Sequence, residues 1–139
     1  MGSSGKLTAE ERGQLLDAAR GAVNNAYAPY SGLRVGAALL TRQGRLFSGA
    51  NVENASFSLT ICAERAAIAA AVAREGATMR IRALAVVNSA GSPCSPCGAC
   101  RQVLLELGPD AVVLFQGPEG LEEKSISELL PAAFSLPRV

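Results

Sequence analysis

The spacing of apolar positions changes several times along this chain, and each change marks an element. Thr8-Ala9-Glu10-Glu11 has the Thr-x-x-Glu form of a capping box, and Leu15, Leu16, Ala19 and Val23 follow at three- and four-residue intervals. That spacing predicts a helix with one apolar stripe, ended by the Tyr27-Ala28-Pro29-Tyr30 break. Val35 to Thr41 and Arg45 to Ala50 are short β-type runs on either side of Arg42-Gln43-Gly44, a hairpin signal. Cys62 to Arg74 is rich in Ala and runs into Gly76, as a helix with a glycine C-terminus does. Ile81 to Asn88 reads as a buried strand, Ser89 to Pro96 as a Gly/Ser/Pro loop, and Cys97 to Leu107 as a helix stopped by Gly108. Ala111 to Gln116 reads as another buried strand, and Ile126 to Leu130 as a short helix ended by Pro131. Buried strands alternating with helices in this order predict an α/β fold, a three-layer α/β/α sandwich around a mixed sheet.

Composition narrows what such a fold could do. At 139 residues and 14.3 kDa the chain has room for one core, so residues 7–139 are expected to form a single domain. Residues 1–6 read as a tail or cloning remnant, since Lys6 stands where an N-myristoylation signal needs Ser or Thr. An apolar content of 49% against 18% charged residues is more than a small monomer can hide, which predicts a homo-oligomer. A net charge of +1 without a Lys/Arg cluster excludes a nucleic-acid polymer as partner and favours a small neutral ligand. No apolar run reaches membrane-spanning length and no secretory signal pattern opens the chain, so a cytoplasmic protein is expected.

The chemistry lies in the cysteines. There are four, and there is no histidine, so imidazole bases and Ser/His/Asp triads are excluded and a zinc site must be built from thiolates and carboxylates. Cys62-Ala63-Glu64 and Pro96-Cys97-Gly98-Ala99-Cys100 supply three thiolates and one acid not needed to hold the metal. Three protein ligands leave the fourth tetrahedral position of zinc to water and lower its pKa to about 7, whereas a fourth thiolate closes the site. Cys97 and Cys100, at i and i+3, share one helix face. Cys62 and Glu64, at i and i+2, converge only if the helix begins within a residue or two of Cys62. Two helix N-termini then face one ion and favour thiolate. Arg65 is placed to reach the sulfurs and offset the net negative charge of a three-thiolate site, the alternative being an exposed helix arginine. Pro93-Cys94-Ser95-Pro96-Cys97 leaves the ligand count open: Cys94 could replace Cys100, or join the other three in a closed structural site. Pro96 disfavours a helix across Ser95, which favours Cys97 with Cys100 and leaves Cys94 a loop thiol.

Four separated motifs together resemble the short, homotetrameric, three-cysteine cytidine deaminases. They are Ala26-Tyr27-Ala28-Pro29-Tyr30-Ser31, Asn51-Val52-Glu53-Asn54-Ala55, Cys62-Ala63-Glu64-Arg65 and Ser95-Pro96-Cys97-Gly98-Ala99-Cys100-Arg101-Gln102. The resemblance spans about Leu15 to Phe134 and implies a roughly five-stranded sheet and one zinc per subunit held by Cys62, Cys97 and Cys100. It makes Glu64 the proton shuttle, Asn51 and Glu53 the ribose contacts, and the Ala63 N–H a contact to the pyrimidine. Phe134 matches an aromatic that a neighbouring subunit stacks on the base, so active sites would be shared within a tetramer. Leu33 stands where the family typically has Phe, implying looser base packing. Phe57 stands where Tyr is frequent, implying the loss of an intersubunit hydrogen bond. Without the resemblance, Asn51-Val52-Glu53 reads as a turn and Phe134 as core or interface.

The reaction so implied is hydrolysis of cytidine and deoxycytidine to uridine and deoxyuridine with release of ammonia, a pyrimidine-salvage step. Rival readings are a blasticidin-type aminohydrolase of the same fold, a polynucleotide deaminase, which would need a basic groove, and a structural zinc protein, which would need Cys94 as fourth ligand.

Overall fold

The computed structural model describes residues 7–138, and the expected tail at residues 1–6 lies outside them. Helix α1 (Ala9–Val23) begins at the predicted capping box: Thr8 Oγ1 accepts from the Glu11 N–H at 3.0 Å, and Glu11 Oε1 accepts from the Thr8 N–H at 2.9 Å. Glu11 also receives two bonds from Arg82, at 2.7 and 3.1 Å, tying the start of α1 to the sheet beneath it.

With the exception of one edge strand, the remaining elements follow the sequence expectation closely. Strands β1 (Val35–Thr41) and β2 (Leu46–Ala50) form the hairpin, with Gly44 at φ 89° in its turn. Helix α2 (Ala63–Glu75) has Cys62 as its N-cap and Gly76, at φ 85°, as its C-cap. Strand β3 (Ile81–Asn88) is followed by α3 (Gly98–Leu107), capped by Cys97, and β4 (Val112–Gly117) by β5 (Gly120–Ser125) and α4 (Ile126–Leu129). The five-stranded sheet has the order β2-β1-β3-β4-β5, parallel only between β3 and β4 and antiparallel elsewhere.

Alternation along the central strands assigns the two layers. Leu15 and Ala19 of α1 pack on Ala38, Leu40, Ala83, Ala85 and Leu114 on one face. Ala63, Ala67, Ile68 and Ala71 of α2, with Leu104 of α3 and Ile126 of α4, pack on Ala37, Leu39, Leu84, Val86 and Val113 on the other. The fold is therefore the expected three-layer α/β/α sandwich.

One strand carried no sequence signal of its own. β5 reads Gly-Leu-Glu-Glu-Lys-Ser, with too few apolar residues for an alternation, and forms because the two-residue turn at Pro118-Glu119 folds it back on β4. Its charges suit an edge strand, and Glu123 pairs with Arg12 of α1 at 2.8 Å.

Small residues let α2 approach the sheet. A methyl group on Gly49 of β2 would stand 2.5 Å from the Ala67 nitrogen and 2.8 Å from the Ala63 oxygen, both backbone atoms of α2. The first turn of α2 is thus seated directly on β2. Gly49→Ala is expected to lower stability by about 1–3 kcal/mol, as overpacking does. Gly13→Ala, in the interior of α1 with nothing within 4 Å, is expected to raise it by about 0.5–1 kcal/mol. Urea denaturation midpoints of the two variants measure both effects.

Candidate active site

The loop that follows β3 and the first turns of α2 and α3 meet at one end of the sheet, beside the N-terminal end of β1, where Val35 pairs with Asn88. Cys62 and Cys97 are N-caps with extended backbones, ψ 150° and 168°, and neither uses its side chain to cap its helix. Both sulfurs are therefore available. Cys100 is fully buried in the first turn of α3. The Sγ atoms of Cys62 and Cys97 are 4.0 Å apart, those of Cys97 and Cys100 3.5 Å, and all three lie within 4.8 Å of one another. Zinc with bonds of about 2.3 Å to sulfur holds tetrahedral ligands about 3.8 Å apart, so this triangle fits the ion. The two helix N-termini add partial positive charge where thiolates would gather.

Charges around the triangle are arranged to match. Arg65 donates to Cys62 Sγ at 3.3 Å, as expected for charge compensation. Its Nε is buried without a partner among the described residues. The Cys62 thiol is pulled down to about 5, first by a hydrogen bond from Cys100 and then, against burial, by Arg65. That same bond to Cys62, with burial, pushes Cys100 up. Glu64 is buried and lies in α2 two residues after Cys62, yet is not one of the three clustered donors. Burial, aided by the Cys62 charge, raises its carboxyl above the usual range, so it holds a proton more readily than an exposed glutamate.

A cavity of about 220 Å³ opens beside the sulfurs. Cys62, Ala63, Glu64 and Cys97 form the end nearest the sulfurs, and Asn51 and Thr60 supply polar groups. Val35, Val86, Cys94 and Ser95 complete the wall. The N–H of Ala63, at the first position of α2, has no helical carbonyl to bond and remains available to a ligand. Asn51 accepts from the Val35 N–H at 2.8 Å and donates to the Leu33 carbonyl at 3.0 Å, so its amide is locked in orientation. Glu53 is buried, but its carboxylate faces the Tyr27-to-Ser31 turn, accepting from the N–H groups of Tyr30 and Ser31 and from the Ser31 hydroxyl. The Ser31 bond leads the causes that hold its carboxyl below the usual range.

Not every predicted residue reaches the cavity of this single chain. Neither Glu53 nor Leu33 lines it: Leu33 borders it through its bond to Asn51, Glu53 is turned to Tyr30 and Ser31, and Phe134 is 67% exposed, its carbonyl held by Gln102 at 3.1 Å. Cys94 stands outside the sulfur triangle: its N–H bonds to the Gln116 carbonyl at 3.0 Å, its thiol faces the Val86 carbonyl at 3.6 Å, and burial pushes the thiol up. It is nonetheless a wall residue, which the loop reading missed. Thr60, Ser95, Val35 and Val86 were missed too, because only the pairing of distant segments brings them to this end of the sheet. Arg101 was noted only within its motif. It donates to the Pro96 carbonyl at 2.7 Å, the Ser95 hydroxyl at 3.2 Å and the Leu129 carbonyl at 2.8 Å, clamping the Cys97 turn to the end of α4.

Residues 9–116 match the model of the cytidine and deoxycytidylate deaminase zinc-binding region. The chain belongs to that family. It is accordingly a zinc-dependent hydrolytic deaminase. A cytidine deaminase of Halalkalibacterium halodurans is 47% identical over 127 residues, covering 90% of this chain and 95% of that protein. The crystal structure of cytidine deaminase from Mycobacterium tuberculosis superposes with a TM-score of 0.81 at 42% identity, covering 91% and 98% of the two chains. That from Burkholderia pseudomallei gives 0.78 at 45%, covering 92% and 100%. The family and its α/β fold are those implied by the four sequence motifs.

Of Cys94 and Cys100, only Cys100 lies in the sulfur triangle, which favours it as the third ligand. Cys100→Ser is expected to purify with little or no zinc, and Cys94→Ser with about one equivalent. Metal content by atomic emission checks both.

Proposed function

We propose that the chain converts cytidine and deoxycytidine, with water, to uridine and deoxyuridine and ammonia, as a pyrimidine-salvage enzyme of the cytoplasm. Cys62, Cys97 and Cys100 would hold one zinc ion per subunit. The observation that carries this reading is Glu64, a buried acid beside three clustered sulfurs that is not needed as a ligand. No helix among the described residues is long and apolar enough to cross a membrane, in keeping with that location.

Bound at the three sulfurs, zinc supplies the Lewis acidity that makes water a nucleophile near neutral pH. Glu64 takes the proton that the attacking water loses and delivers it to ring N3, leaving C4 open to attack. It then moves the proton of the hydroxyl newly added at C4 to the 4-amino group, so that the 4-oxo group forms as ammonia departs. The raised affinity of this carboxyl for protons suits both transfers. The Ala63 N–H would bond the pyrimidine, Asn51 and Glu53 the ribose, and Leu33 would pack near the base. Arg65 would steady Cys62 and offset the charge of the thiolates.

We further infer a homotetramer in which Phe134 of one chain closes over the base held by its neighbour. Phe57, 74% exposed, together with exposed Leu59, Ile61 and Phe134, supports such an assembly, because apolar surface of this kind is normally covered.

Four measurements test the reading. Loss of cytidine absorbance on conversion to uridine, made together with metal analysis, is expected to show zinc and turnover in one sample; zinc without turnover of any pyrimidine nucleoside overturns it. Glu64→Ala is expected to keep its zinc and lose about 10²–10⁴-fold in kcat. Sedimentation velocity is expected to give a tetramer, and Phe134→Ala to raise KM more than it lowers kcat; an active monomer removes the role of Phe134.

A further inference from the structure

Backbone pairing puts a hydroxyl group in the cavity that the proposed reaction does not use. Val52 and Ile61 exchange both backbone hydrogen bonds, each at 2.9 Å, as an isolated antiparallel pair. In that register Asn51 lies across from Cys62 and Glu53 across from Thr60. Side chains alternate on such a ribbon, so Val52 and Ile61 face outward, each 45% exposed, while Asn51, Glu53, Thr60 and Cys62 share the inner face. Cys62 marks the end where the reaction occurs. Thr60, one pair further from the metal triangle and opposite Glu53, lines the same cavity beside Asn51.

The hydrogen bonding of Thr60 leaves it a donor. Its Oγ1 accepts from the Asn54 N–H at 3.3 Å, and its own hydroxyl proton has no acceptor among the described residues. Its inner-face neighbours cannot easily substitute for it. Glu53 accepts only, with three of its acceptor positions already filled, and Asn51 has one N–H left after bonding Leu33. We infer that Thr60 donates its hydroxyl proton to a hydroxyl of the substrate's sugar, making it a specificity residue for nucleosides over free bases. This rests on the nucleoside reading above.

The test is kcat/KM of the zinc-loaded enzyme on cytidine and on its 2′-deoxy, 3′-deoxy and 5′-deoxy analogues, for wild type, Thr60→Val and Thr60→Ser. Thr60→Val keeps the shape and is expected to lose about five- to tenfold on cytidine, mostly through KM, as loss of one neutral hydrogen bond does. On the analogue that lacks the contacted hydroxyl, wild type and Thr60→Val should differ by less than about twofold, since neither can make the bond. Thr60→Ser restores the donor and should restore the discrimination among analogues. An equal loss on all four substrates would mean that Thr60 serves only to hold the Asn54 turn and overturns the inference, as does no loss on cytidine. Wild-type enzyme that leaves cytidine intact overturns the nucleoside reading itself, and this contact with it.

Discussion

The site depends on two helix N-termini being brought to one point. Cys62 caps α2 and Cys97 caps α3, and both helices lie on the same face of the sheet, so their first turns can converge at its end. For α2 this requires a helix with almost no side-chain thickness where it meets β2: alanines at 63, 67 and 71, opposed by a glycine at 49. Bulkier residues there would move the whole helix outward and take Cys62 and Glu64 with it. For α3 the constraint is the crossover from β3 to the parallel strand β4, which returns the chain over the sheet and starts the helix beyond the end of β3. Core packing and the position of the sulfurs are therefore one problem with one solution.

Electrostatics then divides the work among residues that are neighbours in the chain. Clustered thiolates repel one another, and two helix termini and Arg65 place positive charge beside the three sulfurs to offset this. The charge that accumulates on Cys62 adds to burial in raising the proton affinity of Glu64, two residues on. Clustered sulfurs and a buried carboxyl of raised proton affinity are thus set against each other within a single helical turn. Burying this carboxylate therefore raises its affinity for a proton, the property that the proposed role of Glu64 calls for.

Most of the fold could be read from local pattern. The capping box at Thr8 and the glycines at 44 and 76, both at positive φ, meet local backbone requirements that only a few residue types satisfy, whereas a side chain at Gly108 would strike the Ile81 carbonyl. β5 was silent, since a charged edge strand has no buried face to mark it and is held by its partner alone. The sulfur triangle was legible for a similar reason to the caps: i and i+3 on a helix, and an open helix start at Cys62, are short-range geometry. The cavity walls were not. Thr60 faces inward because Ile61 pairs with Val52, and Cys94 enters the wall because its N–H is taken by the end of β4.

Local pattern was enough for the elements, the three-layer class, the chemistry of the donors and the family, because periodicity, capping and motif spacing act over a few residues. Long-range pairing was needed to set Cys94 outside the triangle yet in the cavity wall, to turn Glu53 toward Ser31, and to leave Thr60 a spare donor beside Asn51. Those outcomes depend on which distant backbone groups pair and on how closely α2 is seated on β2, and no local stretch of the chain encodes either.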